Sequence, residues 1–257
     1  MKNLKLKLLP ALIIILSMNI LARAQSEEAL KQANNPLASM KTLNFQNLHL
    51  PSLYGAPDDA SANQLFIRYA QPLGRVLLRA TLPVTTINAG NGNYTSGLGD
   101  FNIFGAYLLS DPASSKQFGA GPLLVAPTAK DGLGPDRWQA GLAAVVFIAS
   151  DPKIQYGGLV TWQRDFAGPG VAHTDIMYVQ PFAMWQLGGG TYLRTSSISA
   201  FDFENSGINI PFGLGIGKII AAGKTVFNLF VEPQYSVFNQ KFAGSRYQIL
   251  TGINTQF

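Results

Sequence analysis

The stretch Tyr247-Gln248-Ile249-Leu250-Thr251-Gly252-Ile253-Asn254-Thr255-Gln256-Phe257 decides how this chain folds. Its odd positions, Tyr247, Ile249, Thr251, Ile253, Thr255 and Phe257, alternate with Gln248, Leu250, Gly252, Asn254 and Gln256. A period of two is the signature of a strand with two unlike faces. The preceding stretch agrees: Phe227, Leu229, Val231, Tyr235 and Val237 share one face, and Asn228, Glu232, Gln234 and Ser236 the other. Before that, Ile208, Ile210, Phe212, Leu214, Ile216 and Ile220 stand opposite Asn209, Gly213, Gly215 and Gly217. Segments of ten or more residues, apolar on one side and polar or glycine on the other, are the pattern of a transmembrane barrel. A soluble sandwich also alternates, so composition and connection lengths must separate the two.

Composition points away from a soluble globule. Only 13% of the 257 residues are charged, against 47% hydrophobic and 26 glycines, about half the charge of an ordinary soluble domain. The formal net charge of +5 suggests an acidic partner until its position is read. Lys2, Lys5, Lys7 and Arg23 lie in the first 24 residues, which hold no acid; taking these four from the nineteen basic residues leaves fifteen against fourteen acidic ones. Nucleic acid is therefore not an expected partner. The same 24 residues read as a cleaved secretory signal: a basic start, an apolar run over Leu8 to Leu16, and Ala22-Arg23-Ala24 before Gln25. Ser17 and Asn19 hold the apolar run well below the roughly 20 residues of a spanning helix. The absence of cysteine excludes a lipoprotein anchor, a disulfide scaffold and thiol metal chemistry.

Strands are expected near 42–50, 64–71, 75–87, 98–109, 117–128, 137–149, 154–165, 174–186, 191–203, 208–220, 224–238 and 246–257. The connections alternate between mostly tight turns, such as Pro72 to Gly74 and Ala221 to Gly223, and mostly longer loops, such as Pro51 to Asn63, Asn88 to Gly97 and Ala129 to Asp136. Short periplasmic turns and longer external loops are the outer-membrane rhythm, and twelve strands place both termini in the periplasm. The expected fold is thus all-β, an antiparallel transmembrane barrel of the Gram-negative outer membrane. Residues 1–24 are the signal, 25–41 a periplasmic or lumen-lining leader with a short helix near Ser26 to Gln32, and 42–257 the barrel. The strand at 42–50 is the weakest, because Leu43 and Phe45 are followed by Leu48 and Leu50 and the alternation breaks between them. Without it the count falls to ten.

The same parity sends sets such as Val76, Leu78, Leu82 and Val84 to lipid, where an arginine or lysine at mid-membrane costs about 2–4 kcal/mol. Arg164 and Lys218 fall near strand ends, within snorkelling reach of the interface. Trp138, Trp162, Phe201 and Phe238 at one end, and Tyr107, Tyr156 and Phe257 at the other, resemble interfacial girdles. Arg68, Arg79, Asp100, Arg194 and Glu232 turn inward and read as one lumen network, either a constriction that selects solutes or an ion-paired plug. Arg68 and Arg79 approach each other across a short turn unless a carboxylate such as Glu232 intervenes.

Enzyme motifs are weak. Gly213-Leu214-Gly215-Ile216-Gly217-Lys218 has Ile219 where a phosphate loop needs Ser or Thr. His49 and His173 map to the external rim, where an outer-membrane lipid hydrolase would place its base, with Ser52, Ser96 and Ser197 as conceivable nucleophiles and nothing to single one out. No enzyme activity, metal or cofactor is expected.

A family resemblance adds to this. Ala33-Asn34-Asn35-Pro36-Leu37-Ala38-Ser39 with Leu43-Asn44-Phe45-Gln46-Asn47, then Arg68-Tyr69-Ala70-Gln71-Pro72, Leu78-Arg79-Ala80-Thr81-Leu82-Pro83-Val84, Ser96-Gly97-Leu98-Gly99-Asp100, Ala126-Pro127-Thr128 and Pro211-Phe212-Gly213-Leu214-Gly215 resemble, in order, the MetA-pathway phenol-degradation family of bacterial outer-membrane proteins. The Gly-Leu-Gly-Asp element is the most specific of them. The resemblance implies a transporter-like barrel for small solutes, aromatic or hydrophobic compounds among them, and transfers no catalytic motif. The rivals are a non-conducting structural or surface-binding barrel and, third, the lipid hydrolase. Terminal Phe257 resembles the closing-strand signal that the barrel-assembly machinery reads, so that machinery and outer-membrane lipids are the expected partners.

Overall fold

The computed structural model describes residues 33–257. The expected signal at 1–24 and the leader helix near Ser26 to Gln32 lie outside the described residues. Fifteen β segments follow: β1 (Thr42–Leu53), β2 (Ser61–Leu73), β3 (Val76–Asn88), β4 (Tyr94–Leu98), β5 (Phe101–Leu108), β6 (Lys116–Ala126), β7 (Trp138–Ile148), β8 (Ile154–Ala167), β9 (Asp175–Gly188), β10 (Thr191–Thr195), β11 (Ser199–Asp202), β12 (Gly207–Gly213), β13 (Gly215–Ala222), β14 (Thr225–Gln240) and β15 (Ser245–Gln256). The pairs β4/β5, β10/β11 and β12/β13 are each two pieces of one strand, interrupted at Gly99-Asp100, at Ser196 to Ile198 and at Leu214. The result is a twelve-stranded antiparallel barrel, closed by β1 on β15 from Thr42↔Gln256 to Leu53↔Ser245. No helix long and apolar enough to cross a membrane occurs among the described residues.

Closure leaves no open sheet edge, which is what lets strands cross lipid with their backbone groups satisfied inside the protein. The faces sort as the alternation predicts. On β7, Gln139, Ala143, Val145 and Phe147 are buried while Trp138, Ala140, Leu142 and Ala144 are exposed. The exterior is apolar, with Leu142 61%, Phe212 61% and Val237 62% exposed, whereas Gln46, Thr81, Asn102, Thr161 and Gln163 line the lumen. An apolar outside around a polar inside reverses a soluble protein's order and suits a lipid solvent. Charge near the outer face is confined to strand ends. Lys218 bends its Nζ to Gly189 O (2.7 Å) at the β9–β10 turn. Arg164 lies beside Asp175 (3.8 Å), which also accepts the indole N–H of Trp162 (2.8 Å). At the end where β1 begins and β15 finishes, Arg75 stacks 5.6 Å from the ring centroid of Tyr107. Two-residue turns there exploit glycine in the left-handed region, as at Gly74 (φ 61°) and Gly223 (φ 63°).

One expectation holds at its weakest point and another changes. The first strand does form, in unbroken register with β2 from Thr42↔Ala70 to Leu50↔Ala62. Its alternation fails because Leu48 and Leu50 line the lumen while Asn47 faces out and exchanges two hydrogen bonds with Asn63 (2.8 and 3.0 Å). The loop expected over 88–97 shrinks to a turn at 89–93, because Tyr94–Leu98 pairs with β3 from Asn88↔Tyr94 to Val84↔Leu98. The sequence looked like a loop because Gly97 and Gly99 are there to accept neighbours: a Cβ at Gly97 would meet the Lys130 side chain at 2.8 Å, and one at Gly99 would meet Pro83 at 3.1 Å.

Candidate functional site

The lumen is divided. Residues 33–39 lie inside the end of the barrel where β1 begins and β15 finishes, with Ala33, Asn34, Asn35, Leu37 and Ala38 buried. An Asn35 turn shapes the segment: its side-chain oxygen accepts from Leu37 N (2.8 Å) and its carbonyl from Ala38 N (3.3 Å). Inward amides of the wall then hold it. Asn34 donates to Gln155 (3.3 Å), Asn35 to Gln117 (2.9 Å), and Asn228 to Asn34 (2.9 Å). Asn228 and Gln256 also reach the Ala33 carbonyl (3.3 and 3.4 Å). Leu37 packs into an apolar layer with Ala70, Leu77, Phe104, Ala106 and Leu123. That layer separates a cavity of about 630 Å³, which rises to the loop end, from one of about 590 Å³ at the tight-turn end, and no residue lines both.

Above the layer, Arg68 and Arg79 mark the vestibule floor. Arg68 pairs with Thr81, so Arg79 two residues along β3 is its diagonal neighbour on the same face, roughly 7–8 Å away. Each guanidinium lies over an aromatic ring, Arg68 4.6 Å from the Phe66 centroid and Arg79 4.4 Å from that of Phe104. Arg68 also donates to Gln46. The Nε of each is buried without a hydrogen-bond partner. Neither arginine is in an ion pair among the described residues.

The expected single network therefore separates into three. Glu232 does not intervene between Arg68 and Arg79; it is fully buried against Arg194, whose Nε donates to Oε2 at 2.8 Å. The same carboxylate accepts from Ser196 N (2.8 Å), Ser196 Oγ (2.8 Å) and Gln234 Nε2 (2.9 Å). These four donors use its whole lone-pair capacity. The reason lies in the wall. Pairing stops at Arg194↔Gly215 and resumes at Ala200↔Asn209, and Pro181, Pro211 and Pro233, which carry no N–H, flank that gap. Glu232 replaces the backbone acceptor that Ser196 lacks. Gly213 leaves room for it, since a Cβ there would stand 3.0 Å from Oε1. Gly217 does the same for Tyr192, its cross-strand partner, whose ring covers the glycine and whose hydroxyl donates to Asn228 (2.5 Å). The inward glycines thus seat side chains from neighbouring strands.

Asp100 forms the third group. Its Oδ1 accepts from Ala129 N (3.0 Å), and Thr128 Oγ1 bridges Phe101 N (2.8 Å) and Gly99 O (3.2 Å). The Gly-Leu-Gly-Asp element is where a strand breaks and ties down the loop at 127–137, bringing Leu133 to Pro135 across the vestibule. At the rim, Asp165 gathers Arg137 Nε (2.5 Å), His173 Nδ1 (3.1 Å) and Thr174 N (2.7 Å). His49 faces outward on β1, away from that cluster. Ser96 is bonded to Thr86 (2.7 Å), and neither it, Ser52 nor Ser197 contacts either histidine by a hydrogen bond among the described residues. No group of three or more potential metal ligands occurs among the described residues. Phe257 closes the chain, its N–H bonded to Lys41 O (3.0 Å).

The leader contacts and the wall gap carry no motif. Only the inward polarity of Gln117, Gln155, Asn228 and Gln256, together with the paired asparagines at 34 and 35, could have signalled the first of them.

Comparison with solved structures finds the same architecture. The COG4313 outer membrane channel from Pseudomonas putida F1 superposes with a TM-score of 0.62 over 92% of this chain and all of that one, at 16% identity. The NanC porin gives 0.52 over 84% of this chain and 98% of that one, at 8% identity. At such identities the likeness is one of fold. No protein-family model and no curated protein matches the chain.

Proposed function

We propose that this chain is an outer-membrane barrel through which small solutes pass, with its loops outside the cell and both termini in the periplasm once residues 1–24 are removed. The observation that carries this is the divided lumen. Two cavities of about 630 and 590 Å³ lie along one bore, separated by a layer that includes Leu37 of a chain segment. A segment held by side-chain amides can leave where a strand cannot. The fold shared with outer-membrane channels supports the reading. The residues resembling the MetA-pathway phenol-degradation family direct it toward aromatic or hydrophobic solutes, and the apolar residues among the vestibule lining accord with that. Nothing in this role calls for catalysis or a cofactor; outer-membrane lipids and the barrel-assembly machinery, which reads Phe257, are the partners.

Planar-bilayer recording of the mature chain with Arg79→Glu tests it. Replacing one of two floor cations by an anion takes the floor from two positive charges to a net of none, so the reversal potential under a salt gradient is expected to move toward cation preference. Unchanged conductance and selectivity in the inserted variant would remove the vestibule floor from the conduction path.

A further inference from the structure

Resting on that reading, and sharpening it, we infer that Arg68 and Arg79 form a binding site for a small organic carboxylate with an apolar, preferably aromatic, body. Two guanidiniums that are diagonal neighbours repel each other, and partly buried positive charge ordinarily carries a counter-charge. Here the counter-charge is missing. Of the carboxylates that reach the same cavity, Asp100 is engaged with Ala129 N, Asp202 with Asn205 (3.0 and 2.9 Å) and Asp175 with Trp162. Both Nε atoms remain buried and without partners, although an arginine N–H in such a place ordinarily finds an acceptor.

The missing acceptor is an anion arriving from the vestibule. A planar carboxylate fits the guanidinium fork, whereas a bare spherical anion fits it poorly. The surroundings specify the rest of the ligand. Phe66, Phe104, Leu48, Leu50, Leu123 and Leu250 line the same cavity and offer apolar surface beside the cations. Phe66 and Phe104 already stack beneath the guanidiniums, which holds those planes in place before the ligand arrives. About 630 Å³ lies within the range of small-molecule sites, roughly 300–1,000 Å³, and is ample for one substituted ring. The apolar layer under Phe104 stops the ligand beside the arginines until the leader moves.

Isothermal titration of the folded mature barrel in detergent, with benzoate, its neutral isostere benzamide, and inorganic phosphate, tests the site. Benzoate is expected to bind, benzamide and phosphate at least about tenfold more weakly. Arg79→Gln or Arg68→Gln, each verified as folded by heat-modifiable mobility, is expected to weaken benzoate by about tenfold or more, as loss of a charged hydrogen-bond donor does. Arg79→Lys, which keeps the charge and loses the fork, falls between. If one glutamine variant fails to fold, the other answers the same question. Absence of benzoate binding, equal affinity for benzamide, or glutamine variants that bind as well as the parent would overturn the site. Because titration needs no conduction, binding without current would leave the site standing and count against passage, and current without binding would do the reverse.

Discussion

Removal of residues 33–39 is expected to raise the mean current through the barrel on the order of 100-fold. The segment supplies the amide contacts to Gln117, Gln155, Asn228 and Gln256 and places Leu37 in the layer between the two cavities. The seated form needs to be favoured by only about 2.7 kcal/mol for the open form to be a minor state of about 1%. Deletion makes the minor state the only one. The wall residues left behind are amides that water can satisfy, so the barrel itself keeps its stability. Single-channel recording and urea unfolding in vesicles read the two halves of this prediction; a deletion variant with the parent's current would show that the bore is closed elsewhere.

Glu232→Ala is expected to destabilise the barrel by about 3–5 kcal/mol, the usual cost of removing one partner from a buried ion pair. The loss leaves the Arg194 guanidinium buried, 3.6 Å from the Phe230 centroid, with no carboxylate, and strips Ser196 N–H of its acceptor in a stretch where the sheet offers none. Glu232→Gln keeps acceptor oxygen and shape and is expected to cost less than the alanine change. Replacing Arg194 and Glu232 together by apolar residues should cost less than the sum of the single changes, because no lone charge remains. Fluorescence-monitored unfolding in lipid vesicles gives each value. A near-neutral Glu232→Ala would mean that the wall gap is hydrated rather than sealed by this carboxylate.

How much of this could be read from sequence depended on whether the information was periodic. The strand set, the apolar exterior and the inward course of Arg68, Arg79, Arg194 and Glu232 all follow from a period of two, which backbone geometry imposes on every strand. Partner choice is not periodic. Glu232 lies three strands from Arg68 around the barrel, and its engagement with Arg194 follows from the unpaired Ser196, a backbone defect that three scattered prolines only hint at. The Gly-Leu-Gly-Asp element was conspicuous as a pattern, yet its work, breaking a strand and tethering the 127–137 loop through Ala129 N, needs the register of two strands to be seen. Leu48 and Leu50 misled in the other direction: apolar residues inside a lumen break the alternation that identifies a strand, and they do so where the vestibule offers apolar surface. The leader's place inside the bore rests on tertiary packing, which no alternation encodes.

The central claim, that solutes pass along a bore closed by a movable leader, is tested most directly by reversible cross-linking. The chain has no cysteine, so a pair introduced at Asn35 and Gln117, whose side chains lie 2.9 Å apart, is the sole target of a short bis-thiosulfonate bridge. Single-channel steps are predicted for the unbridged barrel, their loss on bridging, and their return when reductant cuts the bridge. Steps that continue unchanged through bridging, or no current in either state from a barrel shown to be folded and inserted, would contradict the account.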